Sequence, residues 1–312
     1  MPAFKSVLLL SDASSDETDA FKQALAQVKN NGADLEVLLL PPTLPKSLAD
    51  RQQELETALI EQAKSRASAA ASEIGLDLAS AAIEYHVERG DRFATLAVRH
   101  VLRRKHDLVV KHAAPSFDNK GFDARDLELL RKSPVPVWLC KPIPDPQPEM
   151  QVAVALDPDC RDQSARDLAV RLLRVGHKLA KDCNGVLLVL SAWDYPYERY
   201  LSRNAFISVT PEEVRVSVQA AHDEHREKLD AILKEADIGD NVNVELMRGA
   251  ADEVVPVRCA GGGVDVLVMG TTARTGLAEL IVGNTAENVL KSLTCSLLAL
   301  KPADFVSPVK PY

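Results

Sequence analysis

The chain has 312 residues, 46% hydrophobic and 26% charged, with a formal net charge of −8. That length suits two domains of ordinary size, and the acidic balance argues against nucleic acid or an anionic membrane as a main partner, since both want a basic face. No apolar run approaches bilayer-spanning length, Met1–Lys5 does not look like an export signal, and the five scattered cysteines form no C-x-x-C, so a cytoplasmic protein with reduced thiols is expected.

In chain order, Ser6–Ser11 reads as a first buried strand closed by Asp12, followed by a helix over Thr18–Lys29 with Phe21, Leu25 and Val28 at helical spacing. Leu35–Leu40 is a second strand, ended by Pro41-Pro42, and the Ala-, Glu- and Gln-rich Ser47–Ile74 reads as one long helix. Ala82–Val87 predicts a third strand, Phe93–Arg104 a helix, Leu108–Val110 a fourth strand and Pro136–Cys140 a fifth. From Lys141 to Glu149 proline falls at every second position, a composition that resists helix and sheet and marks a linker.

The same programme then restarts. Val152–Leu156 ends in Asp157 as the first strand ended in Asp12, and helices follow over Arg166–Lys181 and Pro211–Glu235 around a strand at Val186–Leu190. Val242–Met247 leads into Arg248-Gly249, echoing Arg89-Gly90; Asp265-Val-Leu-Val echoes Asp107-Leu-Val-Val, and Leu298–Pro302 echoes Trp138–Pro142. Near-constant offsets (157 − 12 = 145, then 249 − 90 = 159, 265 − 107 = 158 and 301 − 141 = 160) make this an internal duplication. Domains are expected at 1–143 and 151–312, joined by 144–150. Each half offers five apolar strands alternating with helices, which predicts a doubly wound parallel α/β sheet covered on both faces.

In the second half a strand at Val264–Met269 gives way at Gly270 to a glycine-bearing loop. Gly283-Asn284-Thr285 then opens a helix over Ala286–Lys291, before a last strand at Cys295–Leu300. Backbone N–H groups at a helix mouth beyond a parallel strand form an anion site. If the first and fourth strands are neighbours, Asp157 and Gly270 face one crevice.

These residues resemble the universal stress protein family, whose ATP-binding members carry Gly-x2-Gly-x9-Gly-Ser/Thr after the fourth strand. The matching positions are Gly270, Ala273, Gly283 and Asn284, so two of the four are replaced. The resemblance is to the tandem-domain members. It implies two flavodoxin-like (HUP-type) five-stranded sheets of order 3-2-1-4-5, with Val137–Lys141 pairing with Leu297–Lys301 as an internal pseudo-dimer and a further homodimer left open. It also implies ATP in the second domain through Gly270, Arg274, Gly276, Gly283, Asn284 and Thr285, with Met269 alongside and with Asp157 and Ala192 toward the adenosine. In the first half the loop His112–Phe122 has one glycine, a proline and two phenylalanines, and its helix opens with Asp123 and Asp126. Acidic groups there repel phosphate, so no nucleotide is expected.

The residues alone leave alternatives. Gly270, Gly276 and Gly283 either bind nucleotide or serve turns and close packing, and Asp157 either meets the ligand or caps the next helix. For Asp12 capping is the favoured reading. His222-Asp-Glu-His225 reads as a solvated helix face, and no metal cluster is expected. Trp193–Tyr200 reads as a loop packed on its own rings, or else as a lid over an apolar ligand. No G-x-x-x-x-G-K-[ST] or G-x-S-x-G is present, which points to a non-enzymatic stress-response or signalling protein with slow ATP hydrolysis at most. The rival readings are a carrier or sensor of an apolar, lipid-like molecule, and a ligand-free adaptor for an unknown protein partner.

Overall fold

The computed structural model describes residues 4–13, 17–113, 120–142, 150–203, 209–239, 241–261, 263–271 and 283–312. Five strands come from the first half: β1 (Ser6–Ser11), β2 (Asp34–Leu39), β3 (Ile83–Val87), β4 (Leu108–His112) and β5 (Val137–Cys140). Five come from the second: β6 (Val152–Ala155), β7 (Leu187–Trp193), β8 (Val242–Arg248), β9 (Val266–Gly270) and β10 (Ser296–Leu300). All ten join one sheet in the order β3-β2-β1-β4-β5-β10-β9-β6-β7-β8. Every pairing is parallel except β5 with β10 at the centre.

Register puts the halves in correspondence. Leu8 stands between Glu36 and Val109, as Ala153 stands between Leu188 and Leu267. Strands buried on both faces need apolar side chains at odd and even positions alike, which explains the continuous runs. One face is covered by α1 (Thr18–Asn31), α2 (Gln52–Ile74), α5 (Gln163–Asp182) and α7 (Pro211–Ala236); the other by α3 (Phe93–Arg104), α4 (Ala124–Lys132), α8 (Ala251–Ala260) and α9 (Asn284–Ser292). The buried stripe of α2 is Ala63, Ala67, Ala70 and Ala71, one helical face of small residues that lets α2 lie close against α1. A larger residue at Ala67 would overpack that contact at a cost of about 1–3 kcal/mol.

At the central seam, Leu297, Leu298 and Ala299 pair with Leu139, Trp138 and Val137. Trp138 is wholly buried, and burying a large apolar side chain contributes roughly 1.5–3 kcal/mol. Two buried lysines cross the seam reciprocally. Lys141 Nζ donates to the Leu293 carbonyl at 2.9 Å, just past α9, while Lys301 Nζ donates to Arg131 and Ser133 carbonyls at 2.8 and 3.0 Å, at the end of α4. Each puts a cation where a helix leaves carbonyls unsatisfied. Burial pushes the Lys301 ammonium down to about 7. Its two carbonyls, and the face of Phe305 at 3.6 Å, pull the other way. Gly121 also sits at the seam in left-handed backbone (φ +68), and a Cβ there would stand 2.8 Å from the Lys291 carbonyl.

Several boundaries differ from expectation. The first residues of the long helix are a 3-10 segment, Lys46–Arg51, before α2 begins. The helix α8 has no counterpart in the sequence reading, because Pro256 within it breaks the usual pattern. A short helix, α6 (Tyr197–Arg203), lies in the stretch read as loop. The linker lies outside the described residues apart from its flanks.

Candidate functional site

The crevice of interest lies beyond the carboxyl ends of β6 and β9. These strands are parallel neighbours ending at Ala155 opposite Met269, so Asp157 and Gly270 leave the sheet side by side. On the other flank β6 and β7 end their pairing at Ala155 opposite Leu190, and the Leu156 N–H donates to the Leu190 carbonyl at 3.1 Å. Ala192 therefore stands level with Asp157, inside β7 rather than past it. The start of α9 is tied to the end of β9 by the Gly283 N–H, which donates to the Thr271 carbonyl at 3.3 Å. The structure thus brings Asp157, Ala192, Met269, Gly270, Gly283, Asn284 and Thr285 to one end of three strands. Arg274 and Gly276, with Ala273, lie outside the described residues.

Local chemistry refines several roles. Gly283 occupies the N-cap position of α9 with no side-chain cap, so Asn284 is the first helical residue and not the cap. The first helical hydrogen bond runs from Glu287 N–H to the Gly283 carbonyl, 2.8 Å, which leaves the preceding N–H groups to face outward from the helix start. A Cβ on Gly270 would lie 3.1 Å from Leu168 Cδ2, so the glycine also lets α5 pack closely. Asp157 does not cap α5. Asp162 does, accepting from the Ala165 N–H at 2.8 Å, while Asp157 Oδ1 accepts from the Asp159 N–H at 2.9 Å. Asp12 does not cap α1 either; the N-cap position is Glu17, whose side chain makes no capping bond, and Asp12 Oδ2 lies 3.5 Å from Arg125 Nη2.

The lip of the crevice holds groups that sequence reasoning placed in solvent. Ser191 Oγ donates to the Leu156 carbonyl at 3.1 Å and lies 2.8 Å from His225 Nε2. Burial pushes the His225 imidazole below its usual range. His222 meets Trp193 edge-on, ring centres 5.0 Å apart, and Arg248 lies over the same indole at 5.5 Å. The two histidines are thus half-buried against the end of β7, while Asp223 and Glu224 between them stay exposed. A helix-period reading shows only that both histidines share a face; what the face meets depends on a crossover. Tyr195 and Tyr197 do pack together at 5.9 Å, yet Tyr197 and Tyr200 remain 62% and 58% exposed.

The matching end of the first half is built differently. Lys111 and His112 stand where the second half has Met269 and Gly270. Asp126, third residue of α4, stands where α9 has Ala286. Lys111 Nζ lies 2.7 Å from Asp126 Oδ1 and donates to the His112 carbonyl at 2.7 Å, all of it buried. Burial raises the Asp126 carboxyl to about 6 despite the lysine. The sequence reading gave Asp126 a repulsive role at the loop mouth; its charge is instead spent on Lys111. Nearby, buried Glu17 accepts from Ser11 Oγ at 2.6 Å and from Arg66 at 3.1 Å.

Outside these crevices, one further cluster stands out. Glu36, His100 and His106, and beside them Glu84 and His86, gather side chains far apart in sequence between α3 and the sheet of the first half. No described helix is long and apolar enough to cross a membrane.

Comparison with known proteins adds the following. Residues 150–301 match the profile of the universal stress protein family. Universal stress protein E of Photorhabdus laumondii is 26% identical, the alignment covering 99% of each chain. Its Escherichia coli K12 namesake is 26% identical over 73% of this chain and 71% of its own. Among solved structures, a functionally unknown protein from Pseudomonas aeruginosa PAO1 superposes with a TM-score of 0.68 at 22% identity, covering 97% of this chain and 95% of that one. A universal stress protein from Archaeoglobus fulgidus reaches a TM-score of 0.62 at 16% identity, covering 95% and 98%.

Proposed function

The chain belongs to the universal stress protein family, and from that premise we propose a non-enzymatic stress-response protein whose two domains, 1–143 and 151–312, share one fold but not one binding role. The second domain takes an adenine nucleotide such as ATP in the crevice between Asp157, Ala192, Gly270 and the start of α9. The first domain takes none, and the β5–β10 seam acts as an internal pseudo-dimer interface. The observation that carries this reading is the contrast at matched positions: Met269, Gly270 and Ala286 are uncharged where Lys111, His112 and Asp126 hold a buried ion pair. Arg274 and Gly276 complete the proposed phosphate contacts, and the setting is the cytoplasm.

Equilibrium binding of a fluorescent ATP analogue to the whole chain tests it. One saturable site per chain is expected, lost in Gly283→Asp. The backbone at Gly283 (φ −59) admits any residue, and aspartate caps helices well, so that variant keeps its fold while placing a negative charge against the phosphates. Absence of saturable binding would end the nucleotide reading. The exposed Tyr197 and Tyr200 beside the crevice favour the second reading, an apolar small-molecule carrier. Organic extraction of purified protein followed by mass spectrometry decides it, a clean extract counting against.

A further inference from the structure

We propose that Glu36, His100 and His106 form a binding site for a divalent transition-metal ion, zinc by the chemistry of its donors. The three come from β2, from α3 and from the link between α3 and β4, and their ligand atoms all lie within 4.8 Å of one another. At zinc–nitrogen and zinc–oxygen bonds of about 2.0–2.1 Å, tetrahedral donors stand roughly 3.4 Å apart. His106 Nε2 lies 3.3 Å from Glu36 Oε2, close to that spacing, whereas His100 Nε2 touches Glu36 Oε1, a contact that opens when an ion enters between them. His86 Nε2, 3.3 Å from Glu36 Oε1 on the half-exposed side, also lies 3.2 Å from Arg104 Nη2 and 3.3 Å from Glu84 Oε2, so the fourth position of the ion is left to a water.

The outer nitrogens are held as they are around metals. His100 Nδ1 is 2.9 Å from Glu88 Oε1, and His106 Nδ1 is 3.0 Å from Ser6 Oγ. With Nδ1 as the protonated nitrogen, each Nε2 lone pair is left facing Glu36, the arrangement that orients histidine ligands. Glu36, His100 and His106 are only 5%, 5% and 6% exposed, and His106 Nε2 makes no hydrogen bond among the described residues.

The second half is apolar at two of these positions, while its Glu245, level with His86 by register, pairs with Arg258 at 2.7 Å. Register matches Glu36 with Leu188, since each flanks the first strand of its half at the same level. His106 matches Val264, because each precedes an aspartate, Asp107 or Asp265, whose carboxylate accepts the N–H before its half's first strand. Leu188 and Val264 are buried apolar residues. Burying a carboxylate with two imidazoles where leucine and valine serve is costly unless the cluster binds something. Around it Glu36, Glu84 and Glu88 face Arg103 and Arg104, so a cation is welcome. Arg104 Nε lies 3.2 Å from Glu36 Oε2, the oxygen that also faces His106, so the ion shares that oxygen with the guanidinium. The cluster lies between α3 and the sheet of the first half, away from the proposed nucleotide site of the second, and does not depend on that reading.

The test uses the whole chain stripped with EDTA, zinc titrated against a chromophoric chelator, and cobalt(II) as a spectroscopic probe. One zinc per chain held against the chelator is expected, with cobalt giving the intense visible bands of a tetrahedral site. His100→Gln and His106→Gln should each weaken zinc by about 100-fold or more, and Glu88→Gln and Ser6→Ala by about 10-fold. His222→Gln should change nothing. Should a ligand variant fail to fold, the Glu88 and Ser6 variants decide. Zinc lost to the chelator, the weak spectrum of six-coordinate cobalt, or affinity unchanged in Glu88→Gln and Ser6→Ala would each overturn the proposal.

Discussion

At the carboxyl ends of their fourth strands the two halves solve one packing problem in opposite ways. The second half keeps small or apolar side chains, Met269, Gly270 and Ala286, beside the start of α9. The first half fills the same place with a buried lysine, a histidine and an aspartate locked together. The difference teaches that a duplicated sheet places no demand on both copies. Once one copy has been closed by an ion pair, that pair becomes part of its core, and its removal is felt as instability.

The largest effect should come from breaking that closure. Lys111→Met, the residue of the other half, leaves Asp126 buried without its partner and should destabilise the chain by about 3–5 kcal/mol in urea titrations near pH 7. The double variant Lys111→Met with Asp126→Ala should recover most of that loss. The Asp126 carboxyl, raised from 3.8 to about 6, binds more protons when folded than when unfolded. Its contribution is therefore fully present below pH 3.8 and lost as pH rises through 6, so the cost of Lys111→Met should be smaller at pH 4 than at pH 7. Equal costs at both would show that Asp126 is not the titrating group.

Next in size is the reverse transplant. Gly270→His copies His112 into the proposed site and crowds Leu168, and it should lower affinity for the ATP analogue by about 100-fold, equivalent to about 2.7 kcal/mol. Unchanged affinity would mean that the first half's closure is not what bars a ligand there. Per pH unit, the smallest effect concerns the seam. Lys301, pushed down to about 7 from 10.5 by burial, binds fewer protons folded than unfolded between those values. Wild-type stability should therefore gain up to about 1.4 kcal/mol per pH unit from pH 7 toward 10.5, relative to Lys301→Met. Parallel pH profiles of the two proteins would show that the carbonyls and Phe305 hold the ammonium charged throughout.

The repeat and the element types could be read from the residues because strands buried on two faces must be apolar throughout, and because Asp12 and Asp157, or Asp107 and Asp265, punctuate both copies alike. Strand order came through the family resemblance. What stayed hidden is what crossovers assemble. Glu36 and His106 are joined only when β2 and the α3–β4 link meet across the sheet, and His225 reaches Ser191 only through the return of α7. Lys111 falls just past the strand expected over Leu108–Val110, and its partner Asp126 reads as a charge at a loop mouth. No local pattern says that the two are 2.7 Å apart.

The antiparallel join between β5 and β10 has one more consequence. With those two margins committed to each other, this polypeptide has consumed the surface through which either copy could recruit a stranger by strand addition. Growth by that route is left to the outermost strands, β3 and β8, whose residues include Glu84 and His86 on one and Glu245 on the other. Charged borders of that kind make the molecule self-limiting along the direction in which open sheets otherwise polymerise.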